Sequence, residues 1–261
     1  MDTLRALLVH LDGGRRAADR LAAAQTLAAR HGAQLTALCA LNPVPQALAH
    51  RHRQRARAGF ERLAAAGGWP MHWEPPTEEQ AIPAFTRRAL HADLLVLGQR
   101  DPEDDETSTL PRDFLEAVML GSGTPALIQP WRGRHGGSFE TVLLAWQPGR
   151  ASARALGAAL PLLRQARRVH LLTWMADAEA ARQAQHEVAS HLGLHGVKAL
   201  ECHRGAPPAD VGAGLLASAD DLGAELLVMG CYGHSPTRER VLGGATLTVL
   251  REMQLPVLMA H

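Results

Sequence analysis

Apolar runs of strand length alternate with longer segments of helical periodicity along the whole chain, and the same order of elements occurs twice. In the first half, Arg5 to Asp12 is an almost unbroken apolar run, the pattern of a strand buried on both faces. From Ala17 to Arg30, Ala and Leu fall at helical spacing. A second strand over Gln34–Leu41 and a long helix over Pro45–Ala66 follow. A short strand near Met71–Pro75 and a helix near Glu78–His91 come next. The second half repeats the sequence of events with strands over Thr141–Trp146 and Arg168–Trp174 and helices near Ala151–Ala166 and Asp177–Leu192. It continues with a strand near Lys198–His203 and a helix near Pro208–Leu222.

The clearest internal echo sets Ala92-Asp93-Leu94-Leu95-Val96-Leu97-Gly98 beside Ala224-Glu225-Leu226-Leu227-Val228-Met229-Gly230, in each case a buried strand ending in glycine. Each half then closes on a helix and a strand led by Pro125 or Pro256. Strands that alternate with helices through right-handed crossovers predict a doubly wound α/β domain in each half. Each is expected to be a five-stranded parallel sheet with helices on both faces. Trp131 to Ser138 is Gly-rich and basic, without apolar periodicity, and reads as a linker between domains over 1–132 and 138–261. Both Pro-led final strands are exposed edges unless covered, so the two halves are expected to pair with each other; a homodimer is left open.

Composition narrows the function classes. Hydrophobic residues make up 46% of the 261 but aromatics only 4%, as expected of sheets covered by Ala- and Leu-rich helices. The 27 basic and 26 acidic residues nearly cancel, so no global field draws the chain to nucleic acid or to an anionic bilayer, and neither is an expected partner. No run approaches the ~20 apolar residues of a membrane span, and Met1-Asp2 leads straight into a strand without a cationic segment. Cys39, Cys202 and Cys231 are odd in number and widely spaced, which points to a reducing, cytoplasmic setting.

The chemistry concentrates beyond Gly230. The segment from there to Thr246 carries Gly230, Gly233, Gly243 and Gly244, then a helix from about Ala245 to Met253. Glycines let a backbone approach a ligand closely, and the open N–H groups of a helix N-terminus attract phosphate. The spacing, a glycine, two residues, a glycine, nine residues and a glycine with a small residue, resembles the nucleotide loop of universal stress proteins. Tyr232-Gly233-His234-Ser235 with Arg238-Glu239 resembles the loop of bacterial tandem members of that family, and the likeness of element order extends over both halves.

The resemblance implies a regulatory stress-response protein that binds ATP or a related adenine nucleotide, with Mg, in its second domain. Gly230, Gly233, Gly243 and Gly244 would meet the phosphates through backbone, with His234 and Ala245 beside them and Arg238 or Arg240 adding charge. The family usually has Ser or Thr where this chain has Gly244. ATP-binding members place an acid after their first strand; Asp12 fits that role in the first half, while Gln147 occupies the position in the second. An aspartate at position 12 is equally a helix N-cap or turn residue. After Gly98 the first half has no second glycine but the five carboxylates of Asp101 and Glu103 to Glu106, which would repel a polyphosphate. The first domain is therefore expected to be degenerate. No paired general base and metal-binding carboxylate lies near the loop, so slow or negligible ATP hydrolysis is expected. The alternatives are a nucleotide-free interaction or scaffold protein, and an unrelated small molecule in the cleft.

Other constellations carry less. Cys202-His203 with Cys231 and His234 lacks a metal-binding spacing, and no metal is assigned. Gly121-Ser122-Gly123 lacks the glycine placement of a nucleophile elbow, and no catalytic residue is assigned. The basic run His50 to Arg57 has no interleaved aromatics and reads as a solvated helix face.

Overall fold

The computed structural model describes residues 3–76, 79–103, 109–203, 205–231 and 244–261. They fall into two compact units, Thr3–Ser138 and Phe139–His261.

In the N-terminal unit the order is β1 (Ala6–Leu11), α1 (Ala17–His31), β2 (Gln34–Cys39), α2 (Gln46–Ala65), β3 (Met71–Glu74), α3 (Ala81–Ala89), β4 (Leu94–Gly98), α4 (Phe114–Ser122) and β5 (Ala126–Gln129). All strand pairs are parallel and give the order β3-β2-β1-β4-β5. Right-handed crossovers place α1 and α2 on one face and α3 and α4 on the other, and the helices of each pair pack together. The central strands are sealed: Val9, Leu35, Leu94, Leu95, Val96 and Leu97 have no exposed surface. Each fully buried Leu or Val is worth about 1.5–3 kcal/mol, which is why these strands read as apolar runs without alternation.

The C-terminal unit repeats this with β6 (Thr141–Ala145), α5 (Arg150–Leu163), β7 (Arg168–Thr173), α6 (Ala178–Leu194), β8 (Ala199–His203), α7 (Val211–Asp221), β9 (Leu226–Gly230), α8 (Gly244–Glu252) and β10 (Val257–Ala260). Its strands are again all parallel, in the order β8-β7-β6-β9-β10. Each unit is thus the expected doubly wound, five-stranded parallel domain. The internal echo has a structural cause. Asp93, just before β4, accepts the N–H groups of Arg5 and Ala6 at 2.7 and 2.9 Å, and Glu225, just before β9, accepts those of Glu140 and Thr141 at 2.5 and 3.4 Å. In both halves the acid ties the start of the first strand to the start of its neighbour.

Trp131 to Ser138 does not behave as the free linker its composition suggested. The Gln129 side chain donates to the Gly136 carbonyl at 2.8 Å, and Arg30 donates to the Ser138 hydroxyl at 2.8 Å. Gly137 lies so close to α1 that a Cβ there would stand 2.0 Å from the Ala23 carbonyl oxygen. Hydrogen bonds and close backbone approach hold the segment to the N-terminal unit, and neither leaves a hydrophobic period in sequence.

Close approach also explains the glycine that ends β9. A Cβ on Gly230 would sit 2.6 Å from backbone atoms of Ala151 and Ser152 in the first turn of α5, whereas a Cβ on Gly244 would meet nothing within 4 Å. Gly230→Ala is expected to lower unfolding stability by about 1–3 kcal/mol, because a helix rather than a side chain has to give way. Gly244→Ala should change it by less than about 0.5 kcal/mol. Urea unfolding of the two variants checks the contrast.

Candidate functional site

In a sheet of this order the strand sequence reverses beside the first strand, and the crevice lies at the carboxyl ends there. For the C-terminal unit that point lies between β6 and β9. Gln147 stands two residues past the end of β6 and is exposed. Gly230 ends β9. Because α8 connects parallel strands, its amino end returns to the same edge, opening with exposed Gly244 and half-buried Ala245. The helix is held in place from α7: a Cβ on Gly212 would lie 2.6 Å from Cβ of Thr248, and the Thr248 hydroxyl donates to Asp210 at 3.2 Å. Asp210 also caps α7 by accepting from the Ala213 N–H at 3.0 Å. The fold thus brings Gln147, Gly230, Gly244 and Ala245 to one edge. Gly233, His234, Arg238, Arg240 and Gly243 lie outside the described residues.

The equivalent point of the N-terminal unit, between β1 and β4, is a cleft of about 550 Å³, open solvent included. Asp12 lines it, but neither as a helix N-cap nor as an open acid. Its Oδ1 accepts the Gly14 N–H at 2.9 Å, closing a turn, and pairs with the Arg20 guanidinium at 3.0 Å. Arg20 reaches up from α1, is 3% exposed, and also donates from Nε to the His10 carbonyl at 2.7 Å. Its Nη1 fills the space over Gly98, where a Cβ would fall 1.9 Å away. Behind the turn, Gly13 has φ 71° and would place a Cβ 2.4 Å from the His52 carbonyl oxygen, so glycine is required. The buried His52 ring bonds the Asp12 carbonyl through Nδ1 at 2.6 Å.

Burial alone would raise the Asp12 pKa, but Arg20, His10 and the Gly14 N–H outweigh it and hold the carboxyl at about 2. Burial drives the His10 pKa down to about 4, against the opposing pull of Asp12, and the ring is neutral at pH 7. Its Nε2 bonds the Ala40 carbonyl at 2.9 Å, while its face meets Phe85 and Phe114.

In the acid-rich stretch after Gly98, one of the five carboxylates is already paired. Asp101 is 5% exposed, accepts the Glu103 N–H and pairs with Arg15 at 2.8 Å; Gln99 turns its side-chain oxygen to the Trp131 N–H. Asp104, Asp105 and Glu106 lie outside the described residues. The sequence reading missed Arg20 and His52. Both occupy core positions of helical periodicity, Arg20 among Ala17, Leu21 and Ala24 and His52 between Ala49 and Ala56, so a polar residue on an apolar face was the available signal. On α2, Arg51, Arg55 and Arg57 are exposed as the solvated-face reading expected. Of the other set-aside groups, Cys231 is buried, with its thiol pushed up to about 12, and the Ser122 hydroxyl donates to the Val118 carbonyl.

Two tandem parallel sheets of this order define a doubled doubly wound α/β protein. No family model and no curated protein matches the sequence. Among solved structures, the chain is similar to a universal stress protein from Archaeoglobus fulgidus DSM 4304, with 17% identity and a TM-score of 0.70 over 98% of this chain and 95% of that one. It is also similar to a functionally unknown protein from Pseudomonas aeruginosa PAO1, with 16% identity and a TM-score of 0.63 over 99% and 93%. The fold is therefore the universal stress protein fold, in tandem over the full chain. No described helix is long and apolar enough to cross a membrane.

The buried pair sets an acid limit on stability. His10 titrates near 4 folded and near 6.5 unfolded, so the unfolded chain binds the extra proton and stability falls as pH drops through that window. Asp12, held at about 2 in the fold against about 4 unfolded, extends the loss below pH 4. His10→Asn should flatten urea-unfolding stability between pH 6.5 and 4 by about 3 kcal/mol relative to the parent and leave the steeper fall below pH 4.

Proposed function

We propose that the protein is a cytosolic regulatory protein of the universal stress class that binds an adenine nucleotide, ATP with Mg foremost, at the carboxyl edge of its C-terminal unit. The observation that carries this reading is the pairing of Gly230 with the amino end of α8. The strand ends in a glycine packed on α5, and the helix that returns to that edge opens with Gly244, over which there is free space. Between them in sequence runs the segment with Gly233 and Gly243 at the family spacing and Arg238 and Arg240 within it. Backbone N–H groups at such a junction, with the positive end of the helix dipole, suit a polyphosphate. Gln147, in place of an acid, still offers hydrogen bonds to a ribose or base. The free thiols of Cys39, Cys202 and Cys231 accord with a reducing compartment.

Calorimetric titration with ATP and magnesium tests the proposal. The parent should bind, and Gly233→Glu should abolish binding, since a carboxylate there both obstructs and repels phosphate. Gly244→Ser should tighten it: the added Cβ meets nothing within 4 Å, and the hydroxyl supplies a phosphate donor. No heat from the parent would leave the nucleotide-free scaffold as the reading. Binding that survives Gly233→Glu unchanged would remove the site from this segment.

A further inference from the structure

We propose that the cleft of the N-terminal unit is a second, differently built ligand site, one that takes a small organic anion with a phosphate or carboxylate head and an apolar body. It stands independently of the nucleotide reading, in the other unit and on other chemistry. The cleft is lined by five arginines, Arg15, Arg16, Arg20, Arg100 and Arg112, against two aspartates, Asp12 and Asp101. Both aspartates are already engaged by arginine, Asp12 by Arg20 at 3.0 Å and Asp101 by Arg15 at 2.8 Å. Arg16 pairs with Asp19 at 3.2 Å, so among the described lining residues the positive balance rests on Arg100 and Arg112.

The floor is built by a completed pair. Arg20 is 3% exposed and fixed by its bonds to the His10 carbonyl and Asp12, with Nη1 lying over Gly98 at the end of β4. Its charge is met by Asp12, so it shapes the floor between the carboxyl ends of β1 and β4 and leaves the anion to the guanidinium forks at the rim, whose planar geometry suits phosphate or carboxylate oxygens. Arg100 and Arg112 are exposed. They flank the floor from the segment after β4 and from the approach to α4, and each offers a fork to an anion.

The segment around Arg112 also brings apolar side chains to the lining, Leu110, Pro111, Phe114 and Leu115. Phe114 is 4% exposed and its ring packs at 4.6 Å from that of His10, so this part of the lining is fixed from behind. Charge and hydrocarbon in one lining select an amphipathic anion over inorganic phosphate.

Fluorescence titration with anilinonaphthalene sulfonate, an amphipathic anion, tests the site in the full-length protein, with phenyl phosphate and phenol as competitors. Saturable binding is expected in the parent and unchanged in Gly233→Glu. The double variant R100Q/R112Q, which alters two exposed side chains, should weaken it about tenfold or more, a loss equivalent to one or two charge-assisted hydrogen bonds. Phenyl phosphate should displace the probe and phenol should not. Binding indifferent to R100Q/R112Q, displaced equally by phenol, or abolished by Gly233→Glu would overturn the proposal; the last outcome would assign the probe to the C-terminal unit. An unchanged thermal transition in R100Q/R112Q verifies that the folded state is being compared.

Discussion

A parallel sheet has no wettable face, because every connection between its strands carries a helix back across one side or the other, and in each unit the rest of the structure answers that requirement. Helices have to lie close over β1, β4, β6 and β9, so the residues where helix meets strand end are small or absent. Both Gly98 and Gly230 close the strand beside the switch point, and both have their missing Cβ replaced by something specific. Over Gly230 it is the backbone of the first turn of α5. Over Gly98 it is the end of a side chain, Arg20. With the sides covered, the carboxyl edge is where a ligand has room, and the contents of that edge distinguish the two units.

The two edges differ in a correlated way that ion-pair physics explains. When the halves are set side by side by their first strands, Asp12 falls opposite Gln147 and Arg20 falls opposite Ala155, which is fully buried. One half has both charges and the other has neither. Removing a single partner of a buried pair leaves an uncompensated charge at a cost of about 3–5 kcal/mol, whereas replacing both with neutral groups is tolerated. The Gln147 departure is thus one half of a paired change, and the small Ala155 lets α5 settle on Gly230. An acid that looks like a lone ligand residue in sequence belongs, in the fold, to a cation eight positions later.

That explains what was legible beforehand. The strands and helices of both units were readable because fully buried parallel strands and Ala-Leu helices impose strong periods, as in Leu94 to Gly98 and Ala17 to His31. Even Asp93 and Glu225 were visible as an echo, though not as clamps on neighbouring strands. The interactions of the N-terminal cleft were not readable, because Arg20 and His52 break the apolar pattern at single positions, and neither a partner 8 residues back nor one 40 residues back leaves a period in the sequence. Carboxylates after Gly98 suggested repulsion when counted, yet Asp101 is neutralised by Arg15 from the turn before α1. Charge counted along a sequence says little about charge at a site until each group has been assigned its partner.

Two means of holding an anion follow from the two edges, and they differ in what they reward. A glycine-edged junction at a helix amino end offers N–H groups fixed by backbone, at van der Waals reach, and suits a ligand that threads several phosphates past it. An arginine cleft with exposed forks and apolar side chains in the same lining would suit a ligand with a charged head and an apolar body. Exposed arginines are screened by salt within about 8–10 Å, whereas Arg20, buried and bonded, is screened much less. An anion held by Arg100 and Arg112 would therefore be lost with ionic strength, while the Arg20–Asp12 pair that an apolar helical period had concealed keeps the floor in place.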